Sequence, residues 1–127
     1  MDGSFGWLLL LVLLVAIPLG WQLLEMRRAT RAKGQPAPEH AEVPGEGLAL
    51  FYFHSPLCGP CRGMTPKMRA WAEEDARVRV VDIGIKPDLA RAFGVRVTPT
   101  VVIVRDGRVD AVLLGARTRA RLEESCR

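Results

Sequence analysis

Three cysteines in 127 residues, an odd number, are too few for a disulfide scaffold. No basic run interleaved with aromatics occurs after residue 47, so nothing points to nucleic-acid binding. No segment repeats another. The formal net charge of +4 is modest, and 15 arginines against 3 lysines say more about codon usage than about partners. Charge is absent altogether from Phe5 to Leu24, 20 residues in a row. As a helix that run is long enough to cross a hydrocarbon core of roughly 30 Å. What is present is apolar: 49% of the chain, too much for a disordered protein. Beyond the apolar run and the polar stretch behind it, Leu48 to Arg127 leaves 80 residues. That suffices for one small core and excludes a multidomain enzyme.

The apolar run reads as a retained single-pass anchor over residues 1–25, meeting the lipid bilayer through residues 5–24. A cleaved signal peptide wants a positive start, an apolar run of about 7–15 residues and a small-x-small cleavage site. Here Asp2 precedes the run without Lys or Arg, the run is longer, and neither Ala-x-Ala nor a lipid-accepting cysteine follows. Trp7 and Trp21 stand near its two ends, as interfacial aromatics do, and Pro18 is tolerable in a membrane helix. A buried core helix of this length would need a larger partner domain. Arg27, Arg28, Arg31 and Lys33 follow the run, which places the rest of the chain in the cytoplasm, on the inner face of the cell (inner) membrane. A periplasmic domain is the alternative. Residues 26–47 read as a Pro-rich, charged linker: Pro36, Pro38 and Pro44 forbid a continuous helix and favour extended chain, with a reach of at least ~25 Å.

Within residues 48–127 the pattern is β-α-β-α-β-β-α. Leu48-Ala-Leu-Phe-Tyr-Phe is continuously apolar, as a strand buried on both faces is. Cys58-Gly-Pro-Cys61 follows a Ser-Pro turn and opens a helical stretch to about Asp75. Val78 to Ile83 is a second strand, parallel to the first through a right-handed crossover. Pro87 to Phe93 is a short helix ended by Gly94. Thr100–Arg105 and Val109–Leu114 flank Asp106-Gly107, a strong hairpin signal. Thr118 to Cys126 forms the last helix, with Leu122 and Cys126 on one face.

A Cys-x-x-Cys at a strand-to-helix junction sets its first sulfur by the free N–H groups and positive end of the helix. Thiolate, the nucleophilic form, gains from that position. One helical turn brings the second sulfur within bonding distance, so the pair can cycle between dithiol and disulfide through a mixed disulfide with substrate. A zinc site would need two further ligands, and the candidates His40, His54 and Cys126 show no second paired spacing. A purely structural pair would not need the Gly59-Pro60 insert. His54, four residues before Cys58, is either a tuner of its thiolate or a satisfied or exposed histidine. Cys126 reads as a small core residue, and Met68 and Trp71 as core.

From Phe51 to Gly115, and more weakly to the end, the chain resembles the thioredoxin family. The likeness rests on Cys58-Gly59-Pro60-Cys61, Pro66, Phe93-Gly94-Val95, Thr98-Pro99-Thr100, Asp106-Gly107 and Gly115. It implies a thioredoxin-like α/β fold with a mixed sheet, trimmed of the family's first strand and helix. Its second strand would become an edge, with Arg79 as a charged guard. It implies a cis bond before Pro99, which would face the disulfide while Thr98 offers backbone hydrogen bonds to substrate. Three positions depart from the family. Leu57 stands where a Trp usually precedes the first cysteine, Tyr52 replaces a buried acid that relays the proton of the second cysteine, and Val80 replaces that acid's lysine partner.

The reading is a membrane-anchored thiol-disulfide oxidoreductase. Cys58 is the nucleophile, Cys61 the resolving cysteine, and Thr98 and Pro99 the substrate-orienting pair; Tyr52, His54 and Leu57 modulate. Its partners are protein disulfides and an upstream reductase, with no nucleic acid. No metal or organic cofactor is implied beyond the Cys58–Cys61 pair. Two alternatives remain: an extracytoplasmic disulfide exchanger of the cytochrome-maturation kind, and a tethered, non-catalytic binding module on the same scaffold.

Overall fold

The computed structural model describes residues 3–31, 33–39 and 43–127. The chain divides into two compact units, Met1–Thr30 and Arg31–Arg127.

Helix α1 (Gly3–Arg31) makes up the first unit, its last residue, Arg31, being counted with the second. Its apolar side chains stay exposed around the whole circumference, Trp7, Leu14 and Trp21 among them. The apolar part, Gly3–Arg28, has 26 residues. At 1.5 Å per residue it is about 39 Å long, more than a hydrocarbon core of about 30 Å requires. The helix runs past the expected end of the apolar segment into what reads as linker. Glu25 and Arg28, three apart, form a 3.0 Å ion pair that supports this extra turn.

The second unit holds β1 (Leu48–His54), α2 (Cys61–Glu74), β2 (Val78–Asp82), α3 (Pro87–Ala92), β3 (Thr100–Arg105), β4 (Arg108–Leu114) and α4 (Arg119–Cys126). The order is the expected one. One four-stranded sheet runs β2-β1-β3-β4, with β1 parallel to β2 and antiparallel to β3. Central β1 is buried on both faces because successive side chains alternate. Ala49, Phe51 and Phe53 pack with Ala90 and Phe93 on the α3 side. Leu50 and Tyr52 pack with Met64, Met68 and Trp71 of α2 and Leu122 of α4 on the other. The β3–β4 turn has positive φ at both Asp106 and Gly107, as a tight hairpin demands, and the ladder shifts register after Ile103.

Edge strand β2 carries Arg79, whose guanidinium lies 5.5 Å from the Phe51 ring centroid. The opposite edge is treated differently. Residues 34–37, expected as free tether, are tied along β4: Gly34 N–H donates to Val109 O at 2.7 Å, and Val109 N–H to Gln35 O at 2.9 Å. Ala37 N–H donates to Gly107 O at 2.8 Å. An edge strand offers unpaired backbone groups, and an adjacent extended segment satisfies them. Pro36, which has no N–H, suits such a position. Ala37 and Val43 then pack on the α3-side core. His40 lies outside the described residues.

Candidate active site

The site forms where β1 ends. After His54 the chain turns through Ser55, whose carbonyl accepts Cys58 N–H at 3.1 Å and whose Oγ accepts Leu57 N–H at 3.3 Å. Helix α2 begins at Cys61, three residues later than the expected opening, because Pro60 is its N-cap. Cys58 therefore sits just ahead of the helix. Its sulfur accepts the Cys61 N–H at 3.2 Å, one of the donors that a helix start leaves free. No capping side chain competes for that position. Cys58 and Cys61 are joined as a disulfide, with Cα atoms 5.3 Å apart. Cys58 is partly exposed, whereas Cys61 is buried at 2% exposure. The more exposed of the two sulfurs is thus the one that a backbone N–H of the helix start faces.

The antiparallel register brings Thr98 and Pro99 to this end of the sheet. Phe53 pairs with Thr100, so the residues just before β3 lie where β1 runs out toward Cys58. The Thr98–Pro99 bond is cis, and Pro99 is buried, its carbonyl accepting Gly115 N–H at 2.9 Å. Thr98 is partly exposed. Leu57, beside Cys58, is 93% exposed, and Val97, beside Thr98, also presents apolar surface. Gly59 and Pro60 are exposed between the sulfurs.

Comparison with known proteins agrees with this architecture. The thioredoxin family model matches residues 39–127. The chain belongs to the thioredoxin family. It is 34% identical over 82 residues to thioredoxin of Listeria monocytogenes, covering 62% of this chain and 80% of that protein. It is 40% identical over 80 residues to thioredoxin of Porphyra purpurea, covering 60% and 74%. The X-ray structure of Fasciola hepatica thioredoxin superposes with a TM-score of 0.54 at 32% identity, covering 65% of this chain and 81% of that one. This thioredoxin-family chain is a disulfide oxidoreductase, with Cys58 and Cys61 as its Cys-x-x-Cys pair. Thioredoxins work on protein disulfides with a reductase as electron source and need no cofactor beyond the redox-active disulfide. Among the described residues no cluster of three His, Cys, Asp or Glu side chains is arranged to hold a metal.

Tyr52 and His54 sit on the α2 side of β1, two residues apart, their rings stacked at 5.5 Å. Tyr52 is fully buried, and its hydroxyl hydrogen-bonds Thr65 Oγ1 at 2.8 Å. Burial pushes the phenol above its ordinary value, against the opposing pulls of the Thr65 bond and Arg69. His54 is 5% exposed, not the open histidine that sequence allowed. Burial lowers its imidazole below the ordinary value; the Asp82 carboxylate raises it and Arg69 lowers it further. Parallel pairing sets Asp82 directly beside His54.

Three participants escaped the sequence reading: Thr65, Arg69 and Asp82. Thr65 and Arg69 stand four and eight residues after Cys61, one stripe of a helix, so spacing alone could have grouped them. Asp82 required the β1–β2 register. Cys126, by contrast, stands apart from Cys58 and Cys61. It is half-buried beside the core formed by Leu50, Trp71 and Leu122.

Proposed function

We propose that this thioredoxin is a membrane-anchored reductase of protein disulfides. Residues 1–25 form the anchor, 26–47 the connection and 48–127 the redox domain. Reduced Cys58 attacks a substrate disulfide, and Cys61 then displaces the substrate by closing the Cys58–Cys61 bond. Thr98 and Pro99 orient the substrate chain, and the exposed Leu57 and Val97 supply apolar contact. The observation that carries this reading is the asymmetry of the pair: a reachable Cys58 sulfur held by a backbone N–H, and a buried Cys61 behind it. The exposed apolar helix α1 supports the anchor. Arg27, Arg28, Arg31 and Lys33 support a cytoplasmic redox domain.

The test uses the full chain in detergent, reduced and mixed with insulin. The parent should reduce the insulin disulfides, and Cys61→Ser should accumulate a mixed disulfide through Cys58. An inactive parent with no adduct in Cys61→Ser would instead support a binding module. For topology, a C-terminal alkaline phosphatase fusion should be inactive and a fluorescent-protein fusion bright. The reverse pattern would move the domain to the periplasmic side, as a disulfide exchanger requires.

A further inference from the structure

A cavity of about 290 Å³ lies between the start of α2 and the ends of β1 and β2. Its lining includes Cys61, Thr65 and Arg69 from one stripe of α2, His54 from β1 and Asp82 from β2. Cys61 must lose a proton before it can attack, and burial disfavours its thiolate. Tyr52, bonded to Thr65 of the cavity lining, is no base near neutral pH: its hydroxyl is engaged there and burial raises it further. Arg62 and Arg69, which also line the cavity, are cations and cannot accept a proton. We propose that His54 is the proton acceptor for Cys61 during release of substrate, reached through water in this cavity and backed by Asp82.

The step rests on the proposed roles of Cys58 and Cys61. The Cys61 thiol gives its proton through water to the His54 imidazole. The resulting thiolate attacks Cys58 Sγ and forms the Cys58–Cys61 bond. The bond between Cys58 and the substrate sulfur breaks, and its electron pair leaves on the substrate as thiolate, which solvent protonates. The imidazolium then returns its proton to water. The cavity is large enough for several waters, given a share of about 30 Å³ each. Three groups set the state of His54: Asp82 on β2 attracts the imidazolium, Arg69 on α2 repels it, and the stacked Tyr52 ring on β1 excludes solvent. The downward shift of His54 keeps the imidazole neutral, and so able to accept, at neutral pH.

The experiment is rapid-quench trapping of the mixed disulfide between reduced full-length protein and insulin, across pH, with melts to confirm folding. In the parent, the rate of resolution should rise with pH and level off above an inflection lower than the ordinary histidine value of about 6.5. His54→Gln should slow resolution about a hundredfold at neutral pH and abolish that inflection. His54→Phe keeps a ring against Tyr52 and should be equally slow. Added imidazole should restore part of the rate to a folded His54→Ala protein. Asp82→Asn should move the inflection to lower pH. A His54→Gln or His54→Phe protein that is folded and keeps the parental profile overturns the inference. So does an Asp82→Asn variant that loses the step while His54→Gln retains it, since the carboxylate would then be the acceptor. Absence of any mixed disulfide in every variant, Cys61→Ser included, would overturn the Cys58/Cys61 reading beneath it as well.

Discussion

Cys61 and Cys126 mark opposite circumstances over one face of the same sheet. Cys61 opens α2, and Cys126 closes α4. A helix start stabilises negative charge and a helix end does not. Cys61 has Cys58 within bonding reach and a cavity carrying an imidazole and a carboxylate. Cys126 is the free cysteine, and its own carbonyl accepts Arg105 Nη2 at 2.6 Å. It borders a larger cavity, about 410 Å³, lined by Trp71, Asp75, Arg77 and Arg119 among others. Burial raises its thiol above the ordinary value despite the pull of Arg105 and Arg77. The difference shows that redox chemistry comes from the partners a fold gives a cysteine, since residue type and sheet face are shared.

The sharpest break of this contrast is a cysteine exchange. Cys58→Ser should lower insulin reduction by about three orders of magnitude, to the background, while Cys126→Ser keeps the parental rate. In the reduced parent at neutral pH, Cys58 should alkylate well ahead of both Cys61, which is buried, and Cys126, whose thiol burial raises, as peptide mapping by mass spectrometry would show. A Cys126→Ser protein as inactive as Cys58→Ser would erase the distinction.

A smaller effect concerns what holds the Cys61 end together. Tyr52→Phe removes the bond from β1 to Thr65 on α2 and leaves the Thr65 hydroxyl without that partner. The expected loss is about 1 kcal/mol, read as a melting temperature lower by about 4–8 °C. An unchanged melting temperature would mean that water replaces the phenol at no cost.

The smallest effect lies at the Cys126 end. Asp75, held by Arg77 through side-chain and backbone hydrogen bonds, titrates at about 2 instead of 3.8. A carboxyl lowered by folding stabilises the protein fully above its unfolded value, and that contribution disappears as pH falls through about 2. Solvent screens the pair, so Asp75→Asn should cost less than about 1 kcal/mol at pH 7. Parent and variant should converge in stability as pH drops from 5 to about 2, a range set by the Asp75 shift, in denaturant titrations. A constant gap across that range would assign the loss to packing and not to charge.

Much of this molecule was readable in one dimension, for reasons that particular residues make plain. Leu48–Phe53 announced a strand buried on both faces because no polar residue interrupts it. Asp106-Gly107 announced the hairpin because few residues adopt the positive φ that both positions hold. Pro87 and Gly94 bracketed α3: proline loses nothing at a first turn, and Gly94 adopts φ +70° where the helix stops. Cys58 and Cys61 were legible because one helical turn is a local distance. The anchor's extra turn and the pairing of residues 34–37 with β4 were not, since proline content signals extended chain without saying what lies alongside it.

The sequence by itself determined whatever depends on neighbours along the chain: the apolar helix, the order of strands and helices, the turn residues, and two sulfurs one helical turn apart. Tertiary structure alone decided what surrounds Cys61. His54 and Asp82 are 28 positions apart in sequence, yet pair across parallel strands. Thr65 and Arg69 reach the same cavity from a helix packed over them. Burial and Coulomb interaction act through space, so the protonation of His54 and Tyr52 is set by contacts that the linear order does not contain.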